Sequence, residues 1–185
     1  MRRLLLKGVG VLVFCFILFV LYQIATTRNY SPAEVASFKG SEVNVEVSYC
    51  RPFQKGRVIF GKVSEGALQP WGKYWRVGAN EATEITFEND VEIKGKRVAA
   101  GTYRLYAIPN EKEWKIGLNE ELGKWGYFKP DFEKDVMNYT VPSTELSSPV
   151  EQFTITFDPL PEKNGTEMVW RWANTEVRTP IVPAE

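Results

Sequence analysis

The stretch Glu42-Val43-Asn44-Val45-Glu46-Val47-Ser48-Tyr49 decides the fold class. Its valines and tyrosine share one parity, while Asn44, Glu46 and Ser48 share the other. Side chains alternate faces along a strand, so this pattern is a strand with one face on a core. The same period of two recurs downstream. Ala82 to Glu88 carries Ile85 and Phe87 on one face; Gln152 to Phe157 carries Phe153, Ile155 and Phe157. Glu167 to Ala173 carries Met168, Trp170 and Trp172. Further strands are expected at Arg57 to Gly61, Thr102 to Pro109, Trp114 to Leu118, Val136 to Val141 and Glu176 to Val182. Val91-Glu92-Ile93 and Arg97-Val98 flank Lys94-Gly95-Lys96, a tight hairpin in which Gly95 supplies a positive φ. Asn164-Gly165 is another hairpin signal, and Asn174-Thr175 reads as the turn of the last strand pair. About nine or ten short strands between turn signals predict an all-β protein, an antiparallel β-sandwich of jelly-roll type.

Composition narrows the function classes. Lys+Arg and Asp+Glu both number 23 in 185 residues, and no basic arm lies outside the amino terminus. Nucleic acid is therefore not an expected partner. Histidine is absent. That removes Ser-His-Asp and Cys-His catalysis and His-ligated zinc, and leaves carboxylate, Lys or Tyr chemistry open. Asp131 to Asp135 and Asn89-Asp90 supply oxygen ligands but match no calcium-loop pattern, so no metal and no cofactor is expected. Asn138-Tyr139-Thr140 and Asn164-Gly165-Thr166 match the glycosylation triplet and are read as chance.

The amino terminus reads as an anchor. Arg2, Arg3 and Lys7 precede residues 9–25, which carry no charge. With Leu4 to Leu6 this makes an apolar run of about 20 residues, enough to cross a bilayer as a helix. Basic residues on its amino-terminal side put that end in the cytoplasm and the rest of the chain outside it, in a periplasmic or cell-surface compartment. A cleaved signal peptide is the rival reading, but Ile24-Ala25-Thr26 is a weak cleavage site. A lipoprotein is discounted because Phe14 precedes Cys15. The expected organisation is a basic tip and anchor over 1–27, a linker over 28–41 with a short helix after Ser31-Pro32, and a β domain over 42–185. Cys15 falls in the anchor and Cys50 in the β domain, so no internal disulfide is expected; Cys50 reads as a buried thiol.

The run Pro70-Trp71-Gly72-Lys73-Tyr74-Trp75-Arg76-Val77-Gly78-Ala79-Asn80-Glu81-Ala82-Thr83 holds the candidate site. Glu81 and Thr83 share the parity of Ile85 and Phe87, and a carboxylate on a core face must be paired or face a cleft. Two readings stand. In one, Arg76 and Glu81 form a buried pair while Asn80 and Thr83 satisfy backbone groups. In the other, Arg76, Asn80, Glu81 and Thr83 line a binding surface. Arg51 and Arg57 flank a Pro-Phe-Gln-Lys-Gly turn. They either grip a carboxylate or phosphate, or pair with Glu81 or Glu84 and loop carbonyls. Trp71, Tyr74 and Trp75 suit a platform for sugar rings. Trp75 is expected to be a core plug, and Trp71, after Pro70, is the better candidate for exposure. Asn119 to Asp135, with Trp125, Tyr127, Phe128 and Phe132, either folds onto the core or forms a binding rim.

Several ordered blocks carry a resemblance. They are Ser48-Tyr49-Cys50-Arg51-Pro52 with Gly56 to Gly61, Pro70 to Thr83, Ala100-Gly101-Thr102-Tyr103 with Ile108-Pro109, Trp125-Gly126, and Phe153-Thr154-Ile155. Together they resemble the bacterial family catalogued as domain of unknown function 2911, over roughly Val43 to Ile181. The resemblance implies a secreted or membrane-attached β-protein and assigns no activity.

The functional expectation is a membrane-anchored, extracytoplasmic binding module. It would take a small polar ligand, a glycan or an envelope partner through Arg51, Arg57, Trp71, Trp75, Arg76, Asn80, Glu81 and Thr83. The alternatives are a hydrolase using Glu81, which needs a second carboxylate at a defined separation, and a purely structural interaction domain.

Overall fold

The computed structural model describes residues 2–184; the side chains of residues 2–9, 11 and 23–25 lie outside that description. A helix, α1 (Arg2–Tyr30), leads into the strands. The first five are β1 (Ala33–Lys39), β2 (Asn44–Cys50), β3 (Phe60–Gly61), β4 (Gln69–Pro70) and β5 (Thr83–Phe87). Then come β6 (Val91–Ile93), β7 (Lys96–Val98), β8 (Gly101–Ile108), β9 (Glu113–Asn119), β10 (Asp135–Leu160) and β11 (Gly165–Pro183). Nine strands form one antiparallel sheet in the order β1-β2-β5-β8-β9-β10-β11-β6-β7, and β3 pairs with β4 in parallel. The chain is thus an all-β, mostly antiparallel protein behind an amino-terminal helix.

Strands far apart in that order meet across the core. Tyr49 on β2 and Phe153 on β10 are separated in the sheet by β5, β8 and β9, yet their rings lie 5.5 Å apart, edge to face. The Ile155 N–H donates to Tyr49 Oη at 3.0 Å. The sheet therefore curls over its own apolar face. Val43, Val45, Val47, Ile85 and Phe87 are buried there, as the period of two requires.

At the centre Trp75 is 1% exposed. Its ring lies 5.1 to 5.9 Å from those of Phe60, Trp114, Phe153 and Trp172. Trp75 is the plug expected from the sequence. Its backbone is fixed as well, since Trp75 and Ala107 exchange N–H···O bonds of 2.8 and 2.9 Å.

Three local expectations are corrected. The linker over 28–41, with its short helix, gives way over Ala33–Lys39 to a strand in full register with β2. Ala36 and Phe38 reach the core, and backbone pairing with β2 outweighs the weak helix signal of Pro32. The strand expected at Arg57 to Gly61 shrinks to Phe60–Gly61, because Arg57 and its neighbours are tied up in a turn. The late strands are fused. Val136 to Val141 and Gln152 to Phe157 are both parts of β10, and Asn174-Thr175 is not a turn but the continuing β11. Bulges between Glu145, Val150 and Thr154, opposite a left-handed Ala173 (φ 49°), bend the pair without ending it. Gly95 adopts the expected positive φ (74°), and Lys94 and Asn164 also stand in the left-handed region.

On the outer face of β8 and β9, Tyr106 lies over its register partner Gly117. A Cβ on Gly117 would run into the Tyr106 ring. That ring also presents its hydroxyl to Asp135 at 2.5 Å. Gly117→Ala is therefore expected to destabilise the fold by about 1–3 kcal/mol through overpacking. Urea denaturation checks this; an unchanged midpoint would show that the ring moves aside freely.

Candidate functional site

The polar run after Trp75 resolves into three separate tasks. Thr83 is fully buried, and its hydroxyl donates to Val77 O at 2.6 Å, holding a left-handed Val77 (φ 57°). Asn80, also left-handed (φ 57°), donates from Nδ2 to Ser31 O at 3.3 Å. Glu81 is bonded at both oxygens. Arg28 Nη2 donates to Oε1 at 2.7 Å, and Cys50 Sγ lies 3.4 Å from Oε2. Arg28 belongs to the last turn of α1, so Asn80 and Glu81 form the joint between helix and sheet. The expected pair of Arg76 with Glu81 does not form, because strand entry leaves Glu81 at the rim, facing the helix end. Its side chain is 42% exposed.

The charge state of Glu81 follows from these partners. Burial works to raise its pKa, but the hydrogen bonds from Arg28, its own backbone N–H and Cys50, with the Arg28 charge, together outweigh it and hold the carboxyl below the usual range. An ionised carboxylate suits an anchor and not a general acid. Among the described residues no second carboxylate touches Glu81. Burial pushes the Cys50 thiol up; Glu81 adds to this against a pull from Asn80.

The arginines flanking the Pro52 turn bond mostly to the fold. Arg51 donates to Phe153 O at 3.1 Å and Thr154 Oγ1 at 2.8 Å, and it pairs with Glu34 at 3.3 Å. Arg57 donates to Gln54 O and Phe53 O, at 2.9 and 2.5 Å. Neither reaches Glu81 or Glu84. Arg57 nevertheless lines an open cleft of about 540 Å³ together with Trp71, Trp114, Asn110, Glu111 and Asn174. Trp71 is partly exposed there, while Trp75 is withdrawn into the core.

The cleft is one of three neighbouring depressions. The second, about 440 Å³, shares Arg57 with the first. The third, about 460 Å³, shares Gln69 and Arg76 with the second. Arg57, Trp71 and Arg76 thus stand along one run of concave surface, whereas Asn80, Glu81, Thr83 and Arg51 serve the joint and the core. Among the described residues no group of His, Cys, Asp or Glu side chains could hold a metal ion.

A model of the family described as protein of unknown function, DUF2911, matches residues 31–181. The chain belongs to DUF2911. No curated protein and no solved structure matches it. The DUF2911 match opens at Ser31, just before β1, so the strand missed in the sequence lies inside the family domain. Arg28 lies outside it.

Two residues of this DUF2911 chain escaped the sequence reading. Arg28 sits in the helix and carried no sign of its distant partner. Arg104 alternates with Tyr103 and Leu105 and so looks solvent-facing, yet it is 1% exposed. Its only legible signal was its place in a strand, Thr102 to Pro109, too apolar to have a wet face.

Two outcomes follow from the joint. Because Glu81 has a depressed pKa in the folded state, the stability it adds is present above the ordinary carboxylate range and is lost as pH falls through that lower value. Glu81→Gln is expected to unfold at lower temperature than wild type at pH 7, with the gap closing under acid; thermal melts at both pH values check this. Cys50, buried and with its thiol pKa raised, is expected to react with iodoacetamide at pH 7 at least about tenfold more slowly in native than in urea-unfolded protein. Equal rates would mean an open, activated thiol.

Proposed function

We propose that this chain is a membrane-anchored binding module of the bacterial cell envelope, with a sandwich-like β domain on the extracytoplasmic side. Its cleft at Arg57 and Trp71 takes a polar small molecule or a glycan. The cleft itself is the observation that carries the reading. A volume of about 540 Å³ lies in the range of small-molecule sites. Its wall combines an indole with an arginine, amides and hydroxyls, including Asn110, Ser143, Thr144 and Thr175. Sugar rings stack on such an indole while the polar groups bond their hydroxyls.

Anchoring is supported by α1. Leu12, Phe14, Phe16 and Tyr22 each have more than half their surface exposed, so the β domain does not cover this apolar helix. Among the described residues no helix is long and apolar enough to cross a membrane. The span expected over 9–25 includes residues 9, 11 and 23–25, whose side chains lie outside the described residues. Arg2, Arg3 and Lys7 set the orientation with the amino terminus inside.

The test is a neutral glycan array probed with the full-length chain in detergent, followed by titration calorimetry on the strongest hit. Trp71→Ala is expected to weaken binding by about tenfold or more, as loss of a stacking aromatic does. An array without hits, or a hit indifferent to Trp71→Ala, would sink the reading.

A further inference from the structure

We infer that the third depression is an oxyanion subsite, shaped for a phosphate or carboxylate carried on a sugar-sized body. Arg76 and Lys129 would meet the anion directly, and Arg104 would stand behind them. The inference deepens the ligand-binding reading above by naming the charge of the group taken at this end of the concave surface.

Three observations carry it. The first is Arg104. It is buried, and its Nη2 donates to Tyr74 Oη at 2.6 Å and to Phe128 O. Its Nε has no partner among the described residues. Glu84, its register partner on β5, accepts from the Gly123 N–H instead. A buried guanidinium without an ion pair is costly to the fold, and an anion bound in the adjacent depression offsets part of that cost through its field. The second is Arg76. Its stem is pressed against Gly126, where an added Cβ would come within 2.6 Å of Arg76 Cδ. Among the described residues its head donates only to Asn80 O, at 3.3 Å. Among the described residues neither arginine forms a salt bridge, although ten ion-pair contacts are made elsewhere.

The third observation is the cavity. Tyr74 and Phe128, the two residues that Arg104 bonds, line the depression with Arg76, Tyr127 and Lys129, at about 460 Å³. One guanidinium (Arg76), one ammonium (Lys129) and no carboxylate in the lining make a positive concavity with aromatic walls, and the buried Arg104 stands behind Tyr74 and Phe128. Planar guanidinium forks match carboxylate and phosphate oxygens. Tyr74 Oη takes the Arg104 hydrogen bond and donates onward to Gly126 O at 3.0 Å. That relay, with the Arg104 bond to Phe128 O, holds the backbone of 126–128, so this part of the lining is formed before any ligand arrives.

Titration calorimetry of the full-length chain with glucose 6-phosphate, glucuronate and glucose tests this. The expected result is one-to-one binding of at least one charged sugar and much weaker or no binding of glucose. Arg76→Gln is expected to weaken that binding by about tenfold or more, and Lys129→Ala, at an exposed position, by about threefold or more. Lys129→Ala keeps the test alive should Arg76→Gln fail to fold. Trp71→Ala, in the first cleft, is expected to leave charged-sugar affinity within about twofold, which separates this subsite from the glycan reading. Equal affinity for glucose and both charged sugars, no binding of either charged sugar, or indifference to Lys129→Ala in folded protein would overturn the inference.

Discussion

The ring of Trp75 touches side chains from β3, β9, β10 and β11, while its backbone is bridged to β8. β8 to β11 are already neighbours in the sheet, so what the ring adds is to tie β3 and the loop after β4 onto them. Through Phe153, which meets both Trp75 and Tyr49 of β2, the aromatic cluster spans the curl of the sheet, and burying so many large rings is worth more than any single polar contact in the chain. It also fixes the loop that follows. Arg76 emerges one residue after the most constrained side chain in the core, so its head leaves the fold at a defined point. The left-handed turns at Val77 and Asn80 then redirect the chain so that Glu81 faces the end of α1. Core, concave surface and helix joint are three consequences of one anchored loop.

The sequence disclosed most of the strands and little of their continuity. Period-two patterns at Val43–Tyr49 and Ile85–Phe87 name their buried faces without help, because each packs one face on the core. Asn174-Thr175 looked like a turn because polar residues usually end strands. Here the chain absorbs them at an edge, with Ala173 bent into the left-handed region to carry the bend. β1 was hidden because Ala33–Lys39 gains its place from backbone pairing to β2, and most of its side chains stay in solvent. Trp75 and Trp71 were told apart correctly, since a turn proline keeps its neighbour near the surface. Partners were not legible. Arg28 and Glu81 stand 53 positions apart, and neither residue carries a mark of the other.

Charge is distributed unevenly over these structures despite a formal balance of 23 against 23. On the β10–β11 hairpin, Arg171 and Arg178 share Asp158, Glu167 and Glu176 in a network of mutual pairs. Among the described residues Arg104 and Arg76 form no salt bridge, even though Glu84 stands opposite Arg104 on β5. Arginine is thus neutralised where it stitches strands together and left uncompensated beside a cavity. The contrast within one molecule says more about use than the net charge does.

β10 is a single strand of 26 residues that pairs with β9 through its first part and with β11 through its last. Tyr49 at the front of the chain is closed onto Ile155 in that last part, 106 positions away. A growing chain cannot make this contact until nearly all of it has been synthesised. Early strands such as β2 must wait with an uncovered apolar face, and loop closure over such a distance slows the search. The β1–β2 and β10–β11 hairpins both pair near neighbours, so the closure of Tyr49 onto Ile155 is the step that needs both halves present. A ribosome pausing before Phe153 would hold a chain with most of its strands and no finished core.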